Sequence, residues 1–441
     1  MTSPLSPPLK TADLLAYAAL GVPLAMAALP IYVLVPNFYT RTLGLELGLV
    51  GLILLLARSL DALQDPVLGY LSDRTRQRGG SRGRWIAAGI PLLALGMCGL
   101  LMPPALSPPA LAGWLVGALL VTYLGFSTVS VSYQALGAEL ASDRIERTRV
   151  TAWREGLALL GVFVAAALPE WWATALGPQA AYARFAVLFA GLLVLMGGIS
   201  LHWTPPPQSP APLAPPGGQA WRSMFMPLRN AQFRRLALVF ALSGIAASIP
   251  ATVVLFFVED VIGRPDLGGA FLVVYFAAGA AGMPLWLIAA RRYGKAGAWL
   301  LGMGLSIAAF VWAYGLAPGD VQAFFIICAL SGLALGADLA LPPALLADAI
   351  DDDEKAGLAR AEGAYFGLWH LLSKANLALA AGLGLPLLAL LGYTPGSNDA
   401  QGLLALSVVY ALVPCALKLL SALALVGSGL LHTPDRHRSA T

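Results

Sequence analysis

The sequence predicts an all-α membrane protein: twelve transmembrane helices arranged as two six-helix bundles. Three observations lead there. Of the 441 residues, 58% are hydrophobic and 11% charged, less than half the roughly 25% charge of a soluble domain, and the mean hydropathy is +0.75. Apolar runs long enough for the ~20 residues a helix needs to cross hydrocarbon recur along the whole chain. These runs fall into two sets around a proline-dense break. Stretches such as 92–106 and 403–417 are apolar on nearly every face, which excludes the alternation of a transmembrane β-barrel.

Taken in order, the spans are expected at 13–38, 46–72, 84–104, 109–140, 150–175 and 182–203, then 232–258, 267–290, 297–316, 321–350, 361–393 and 402–431, each bounded by charge, glycine or proline. The first ten residues are polar and proline-rich, so no cleavable signal precedes the first span, which is retained. An N-terminal bundle at 1–203 and a C-terminal bundle at 231–441 flank a linker at 204–230. Its core, TPPPQSPAPLAPPGG, cannot hold a helix and reads as extended chain. Arg74, Arg76, Arg78, Arg82 and Arg84 follow span two, Arg144, Arg147 and Arg149 follow span four, and Arg291, Arg292 and Lys295 follow span eight. Basic loops stay in the cytoplasm, so both termini and the linker are expected there, in a bacterial inner (plasma) membrane. Two six-span halves around a central loop are the plan of a transporter whose halves enclose a midplane cavity.

Composition also excludes other functions. The basic balance, with pI near 9.0, is spent in these loops, so no nucleic-acid partner is expected. Cys98, Cys328 and Cys415 stand singly in apolar segments, without metal or disulfide spacing. No histidine cluster, nucleophile elbow or phosphate-binding loop is present. The expected partners are a small-molecule substrate and the lipid bilayer, with no enzyme activity and no cofactor beyond a coupling ion. One chain supplies both halves, so a monomer suffices.

An ionisable residue inside a span costs about 2.5–3.5 kcal/mol on insertion scales and is a functional hypothesis by default. Span two places Asp61 and Asp65 four residues apart, hence on one helix face. Two carboxylates this close raise each other's proton affinity, and a bound cation or a shared proton relieves the strain. In the plainer reading Arg58 neutralises one aspartate and Asp65 caps a kink at Pro66, but one arginine does not balance two acids. Sodium prefers oxygen ligands, as other hard cations do, and Gln64, Ser127 and Ser130 are placed to complete such a shell. A proton needs none, so Na⁺ and H⁺ both remain open.

The run Arg58-xx-Asp61-Ala62-xx-Asp65-Pro66-xx-Gly69-xx-Ser72-Asp73-Arg74-Thr75-Arg76, followed by Gly83-Arg84-Trp85-Ile86-xx-Gly89, resembles the signature of the glycoside/pentoside/hexuronide:cation symporters. That family is the melibiose-permease branch of the major facilitator superfamily. Further matches are Glu146-Arg147 with Arg154, Ala347-Asp348-Ala349-Ile350-Asp351, and Arg360 with Glu362-Gly363-Ala364-Tyr365-Phe366-Gly367. The resemblance implies the major facilitator fold, cation binding at Asp61 and Asp65 (as metal ligands if the ion is Na⁺) with Ser127 as a further ligand, and a cavity lysine at Lys374. Two departures stand out. Gln64 replaces the usual asparagine, which weakens the case for sodium. Ala25 and Ser130 stand where sugar-transporting members carry acids, which points to a different or less polar substrate.

The remaining candidates follow from position. Lys374 lies too deep in span eleven to snorkel easily. Asp338, with a helix break expected at Leu341-Pro342-Pro343 below it, is expected to pair with Lys374 or line the cavity, or else to be a structural partner of Lys418. His370, four residues before Lys374, is secondary. Ser130, Tyr133, Trp369 and Arg154 complete the expected cavity, and Tyr17, Tyr32 and Tyr123 are further lining candidates. Asp73, Arg74, Arg147 and Asp351 fit cytoplasmic gating pairs between the halves. Taken together, the residues predict cation-coupled symport of a small organic solute by alternating access. The alternatives are a lysophospholipid or amphiphile transporter of the same fold and a non-transporting membrane sensor.

Overall fold

Hydrocarbon offers backbone groups no water, so a chain this apolar must satisfy them within helices or a closed barrel. The computed structural model, which describes residues 9–140, 144–207, 225–355 and 362–432, shows helices. Twelve are long and apolar enough to span: α1 (Thr11–Thr42), α2 (Leu47–Gln77), α3 (Gly83–Leu101), α4 (Pro108–Glu139), α5 (Arg144–Leu176), α6 (Pro178–Trp203), α7 (Ala231–Ile262), α8 (Gly268–Tyr293), α9 (Lys295–Ala313), α10 (Val321–Lys355), α11 (Glu362–Leu390) and α12 (Ala400–Gly427). The protein is a multi-pass membrane protein, with spans close to those its apolar runs predict. Of the linker, residues 208–224 lie outside the described residues.

Prolines bend the pattern less than the sequence predicts. The break expected at Leu341-Pro342-Pro343 does not occur, since α10 runs unbroken from Val321 to Lys355, and α2 likewise runs through Pro66. Inside a helical bundle, neighbouring helices and local backbone adjustment can re-satisfy the carbonyls a proline frees. Adjustment is visible in α1, where π-helical turns occupy Pro30–Leu34 and Phe38–Thr42. A matching π turn, Val258–Ile262, closes α7. Each terminal π turn is followed by a left-handed glycine, Gly44 (φ 78°) and Gly263 (φ 72°). The first helices of the two six-span sets thus end alike.

The chain divides into two compact units, residues 1–45 with 56–216 and residues 46–55 with 217–441. Each uses small residues to bring backbones together, the device expected where apolar packing alone gives no preference over lipid. In the first unit, a Cβ on Gly125 of α4 would lie 2.3 Å from the Leu93 nitrogen of α3, and one on Gly96 2.6 Å from the Thr122 backbone. In the second, Gly332 and Gly336 of α10 meet α8 at Tyr275 and Gly279. Residues 46–55, the start of α2, group with the second unit because Gly51 packs against Ala381, Leu385 and Pro386 of α11, and Leu55 against Gly382.

Candidate functional site

The first unit contains a polar centre on the middle of α2. Asp61 is 1% exposed. Its Oδ2 lies 3.2 Å from Arg58 Nη1, while its Oδ1 accepts from Ser127 Oγ of α4 at 2.8 Å and from Gln64 Nε2 at 3.0 Å. One carboxylate therefore gathers three of the residues singled out by sequence. Asp65, one turn on, is half-buried, and its charge also acts on Arg58. Ser130 is half-buried one turn beyond Ser127.

Arg58 is itself 6% exposed. Its guanidinium lies over the rings of Tyr32 from α1 (5.4 Å) and Tyr123 from α4 (5.0 Å), a desolvated arrangement worth ~2 kcal/mol or more per ring. The i,i+3 spacing of Arg58 and Asp61 was readable in the sequence. The two tyrosine faces that hold the arginine were not, since they arrive from helices distant in the chain. Arg58, Asp61 and Asp65 bring two acids and one base to this centre.

Of the expected cavity residues, Tyr133 and Trp369 are packed in this structure. Tyr133 is 2% exposed, stacked on Tyr17 at 4.5 Å, and the two exchange hydroxyl-to-carbonyl hydrogen bonds at 3.0 and 3.1 Å. Gly137 makes room for this clasp, because a Cβ there would lie within 2.0 Å of the Tyr17 hydroxyl. Arg154 sits beside Tyr17 and pairs with Glu155 at 2.6 Å. Trp369 is 6% exposed and stacked on Phe240 at 3.8 Å in the second unit's hydrophobic core. Aromatic side chains deep in a helical bundle fill volume before they serve ligands, and sequence alone cannot tell the two uses apart.

In the second unit Asp338 takes the structural alternative. Lys418 Nζ donates to its Oδ2 at 2.5 Å and to Ser243 Oγ at 2.8 Å, while Ser243 Oγ (2.9 Å) and Trp299 Nε1 (2.8 Å) donate to its Oδ1. Four helices, α7, α9, α10 and α12, thus meet at one buried ion pair, and Asp338 is not the partner of Lys374. Lys374 is half-buried at mid-length of α11.

Of the expected gating set, the side chains of Asp73 and Arg74 are described. Asp73 pairs with Arg82 of its own unit at 2.6 Å, and Arg74 is exposed. The side chains of Arg147 and Asp351 lie outside the described residues. Arg82, 3% exposed on its side chain, also holds Glu139 at the end of α4 (2.8 Å) and Ser72 (3.0 Å), while Arg76 holds the other Glu139 oxygen at 3.1 Å. Burial opposes the charged guanidinium of Arg82, but hydrogen bonds from it to Glu139 and Asp73 outweigh that cost and raise its pKa. The second unit repeats the theme: Lys295, opening α9, pairs with Asp348 near the end of α10 at 2.6 Å. In both units a base at the start of the third helix meets an acid towards the end of the fourth. Glu139 escaped sequence reading because it stands where a solvated loop charge is ordinary.

The sequence profile of the MFS/sugar transport protein family matches residues 14–427. The chain belongs to this family. Its members are transporters, so this MFS protein is a transporter and not an enzyme. It is 28% identical over 250 residues to the inner membrane symporter YicJ of Escherichia coli K12, a match spanning 54% of this chain and 52% of YicJ. It is 24% identical over 402 residues to YagG of the same organism, named a candidate glycoside/cation symporter, across 87% and 84% of the two chains. The crystal structure of the nucleoside transporter NupG superposes with a TM-score of 0.68 at 13% identity, over 95% of this chain and 99% of NupG, a likeness of fold alone.

Proposed function

We propose that this MFS transporter is a cation-coupled symporter of a small organic solute, working by alternating access, with Asp61 and Asp65 as the coupling-ion site. The observation that carries the reading is the convergence of Ser127 Oγ and Gln64 on the buried Asp61 carboxylate, one turn from a second acid. As the side chains stand, both neighbours donate to Asp61 and Arg58 compensates it. Rotation of the Ser127 hydroxyl and a flip of the Gln64 amide turn oxygen lone pairs toward the same space, giving four oxygen-bearing groups for Na⁺. A proton on Asp65 relieves the same charge without rearrangement.

Coupling is then linkage: whatever factor the cation adds to substrate affinity, the substrate adds to cation affinity. The symporter names of the relatives support the coupling, and the glycoside name of YagG supports a hydroxylated solute. The positions occupied by Ala25 and Ser130 remove acidic acceptors for sugar hydroxyls, so we place the substrate among solutes that do not require them. The basic loops after α2 and α8 favour the cytoplasm for that side of the membrane.

A thermal-shift screen of glycosides, sugar acids and amphiphiles, run with and without Na⁺ and across pH 5–8 on wild type and Asp65→Asn, tests this. Ligand stabilisation that depends on Na⁺ or pH in wild type, and loses that dependence in the variant, supports the assignment. Ligand stabilisation indifferent to both ions, or unchanged in Asp65→Asn, overturns it.

A further inference from the structure

The first unit holds a cavity that the transport reading does not use. It has a volume of about 320 Å³ and lies between the α2–α3 loop, the end of α4 and the end of α6, lined by Arg76, Ser81, Arg82, Glu139, Ser200 and Thr204. A water's share of liquid volume is about 30 Å³, so the space admits a polar group much larger than a few waters.

Its lining is uneven in a way that specifies a ligand. Arg82 is fully engaged, its Nε and both Nη groups donating to Glu139, Ser72 and Asp73. Glu139 is equally engaged, one oxygen on Arg82 and the other on Arg76. Arg76 contributes only its Nε to that pair, and among the described residues its two Nη groups make no hydrogen bond. In the same lining, the Thr204 hydroxyl is buried and has no hydrogen-bond partner. A buried polar atom left in this state calls for an occupant.

Charge narrows the class. The segment 73–84 brings five arginines against one acid, Asp73, and Glu139 pairs with two of the five. Arg74, Arg78 and Arg84 are exposed and outside the lining. The unused fork of Arg76, a hydroxyl donor in the same lining and this positive surplus match a group with several charged acceptor oxygens. We infer that the cavity binds a phosphate group, with the Arg76 Nη groups and Thr204 Oγ1 as its donors.

Two sources carry that chemistry. One is an anionic glycerophospholipid headgroup, since basic pockets between transmembrane helices receive such headgroups. Trp203, 60% exposed at the adjoining end of α6, has the character of a residue at the membrane–water boundary. The other is a soluble phosphate ester or inorganic phosphate. The inference is independent of the Asp61 and Asp65 reading, because it concerns the C-terminal end of α2, about three turns from Asp65, and needs no ion gradient.

The test uses the full chain, purified and delipidated in dodecyl maltoside, with midpoints of thermal unfolding recorded on titration with short-chain phosphatidylglycerol, short-chain phosphatidylcholine and inorganic phosphate. Arg76→Gln and Thr204→Val are compared with wild type and with Arg78→Gln, an exposed arginine outside the lining. The expected result is stabilisation by phosphatidylglycerol whose half-maximal concentration rises at least tenfold in Arg76→Gln and several-fold in Thr204→Val, but stays within twofold in Arg78→Gln. Stabilisation by inorganic phosphate with the same dependence on the variants assigns the site to a soluble phosphate instead of a lipid. Equal titrations in wild type, Arg76→Gln and Thr204→Val, or no stabilisation by either phosphate source, overturn the inference. Thr204→Val is nearly isosteric, so the comparison survives if Arg76→Gln folds poorly.

Discussion

Replacing Lys418 with methionine isolates what the ion pair of the second unit contributes. Met keeps most of the stem and removes Nζ, which donates to Asp338 at 2.5 Å and to Ser243 at 2.8 Å. Lys418 is 3% exposed and its Asp338 partner 17% on its side chain, so neither group has ready access to solvent. Two hydrogen bonds from a charged donor at about 1.5–3 kcal/mol each agree with the roughly 3–5 kcal/mol measured when one partner of a buried pair is deleted. For a unit of this size the loss corresponds to a fall on the order of 10 °C in unfolding midpoint. The second unit carries its own reporter, because Cys328 and Cys415 are buried and react with a fluorogenic maleimide only as the helices separate. Adding Asp338→Asn to Lys418→Met removes the stranded charge and is expected to recover at least half of the lost stability. A Lys418→Met midpoint within 2 °C of wild type, or a double variant less stable than the single one, would refute the view that α7, α9, α10 and α12 are joined through this pair.

Three further outcomes follow. Gly125→Ala puts a Cβ 2.3 Å from the Leu93 backbone nitrogen, which no rotamer change can relieve, so a loss of more than ~2 kcal/mol or failure to accumulate in the membrane is expected, read by fluorescence-detected gel filtration. Glu139→Gln leaves the buried Arg82 with the partly exposed Asp73 as counter-charge and should cost about 3 kcal/mol, read as a fall in the unfolding midpoint by fluorescence-detected gel filtration after heating. Asp348→Asn breaks the corresponding pair in the second unit, where the partners' side chains are 27% and 42% exposed, and the same assay should show a loss below about 1 kcal/mol.

The fold was legible because its cause is local. Each span announces itself through some twenty apolar residues, and hydrocarbon leaves such a segment little alternative to a helix. The Asp61–Asp65 centre was legible for a related reason: a carboxylate inside a span is conspicuous, and helix periodicity places its neighbours. What the sequence hid depends on which helix packs against which. Tyr133 and Trp369 looked like cavity residues and are clasped to Tyr17 and Phe240. Asp338 had two plausible lysines, and only the helix arrangement selects Lys418. The break at Pro342-Pro343 failed to appear because surroundings, not local preference, decide whether a proline interrupts a buried helix.

Ser127, which reaches Asp61, stands on α4 within one turn of Gly125, where that helix rests backbone to backbone on α3. With no layer of flexible side chains between the two helices, Ser127 is mounted on a double stave rather than a single rod. Asp61, by contrast, belongs to α2, whose opening residues are grouped with the other unit. A stiff hydroxyl thus faces a carboxylate on a separate helix, so a shift of α2 by an ångström or two carries the 2.8 Å Asp61–Ser127 contact out of hydrogen-bond range while α3 and α4 stay still.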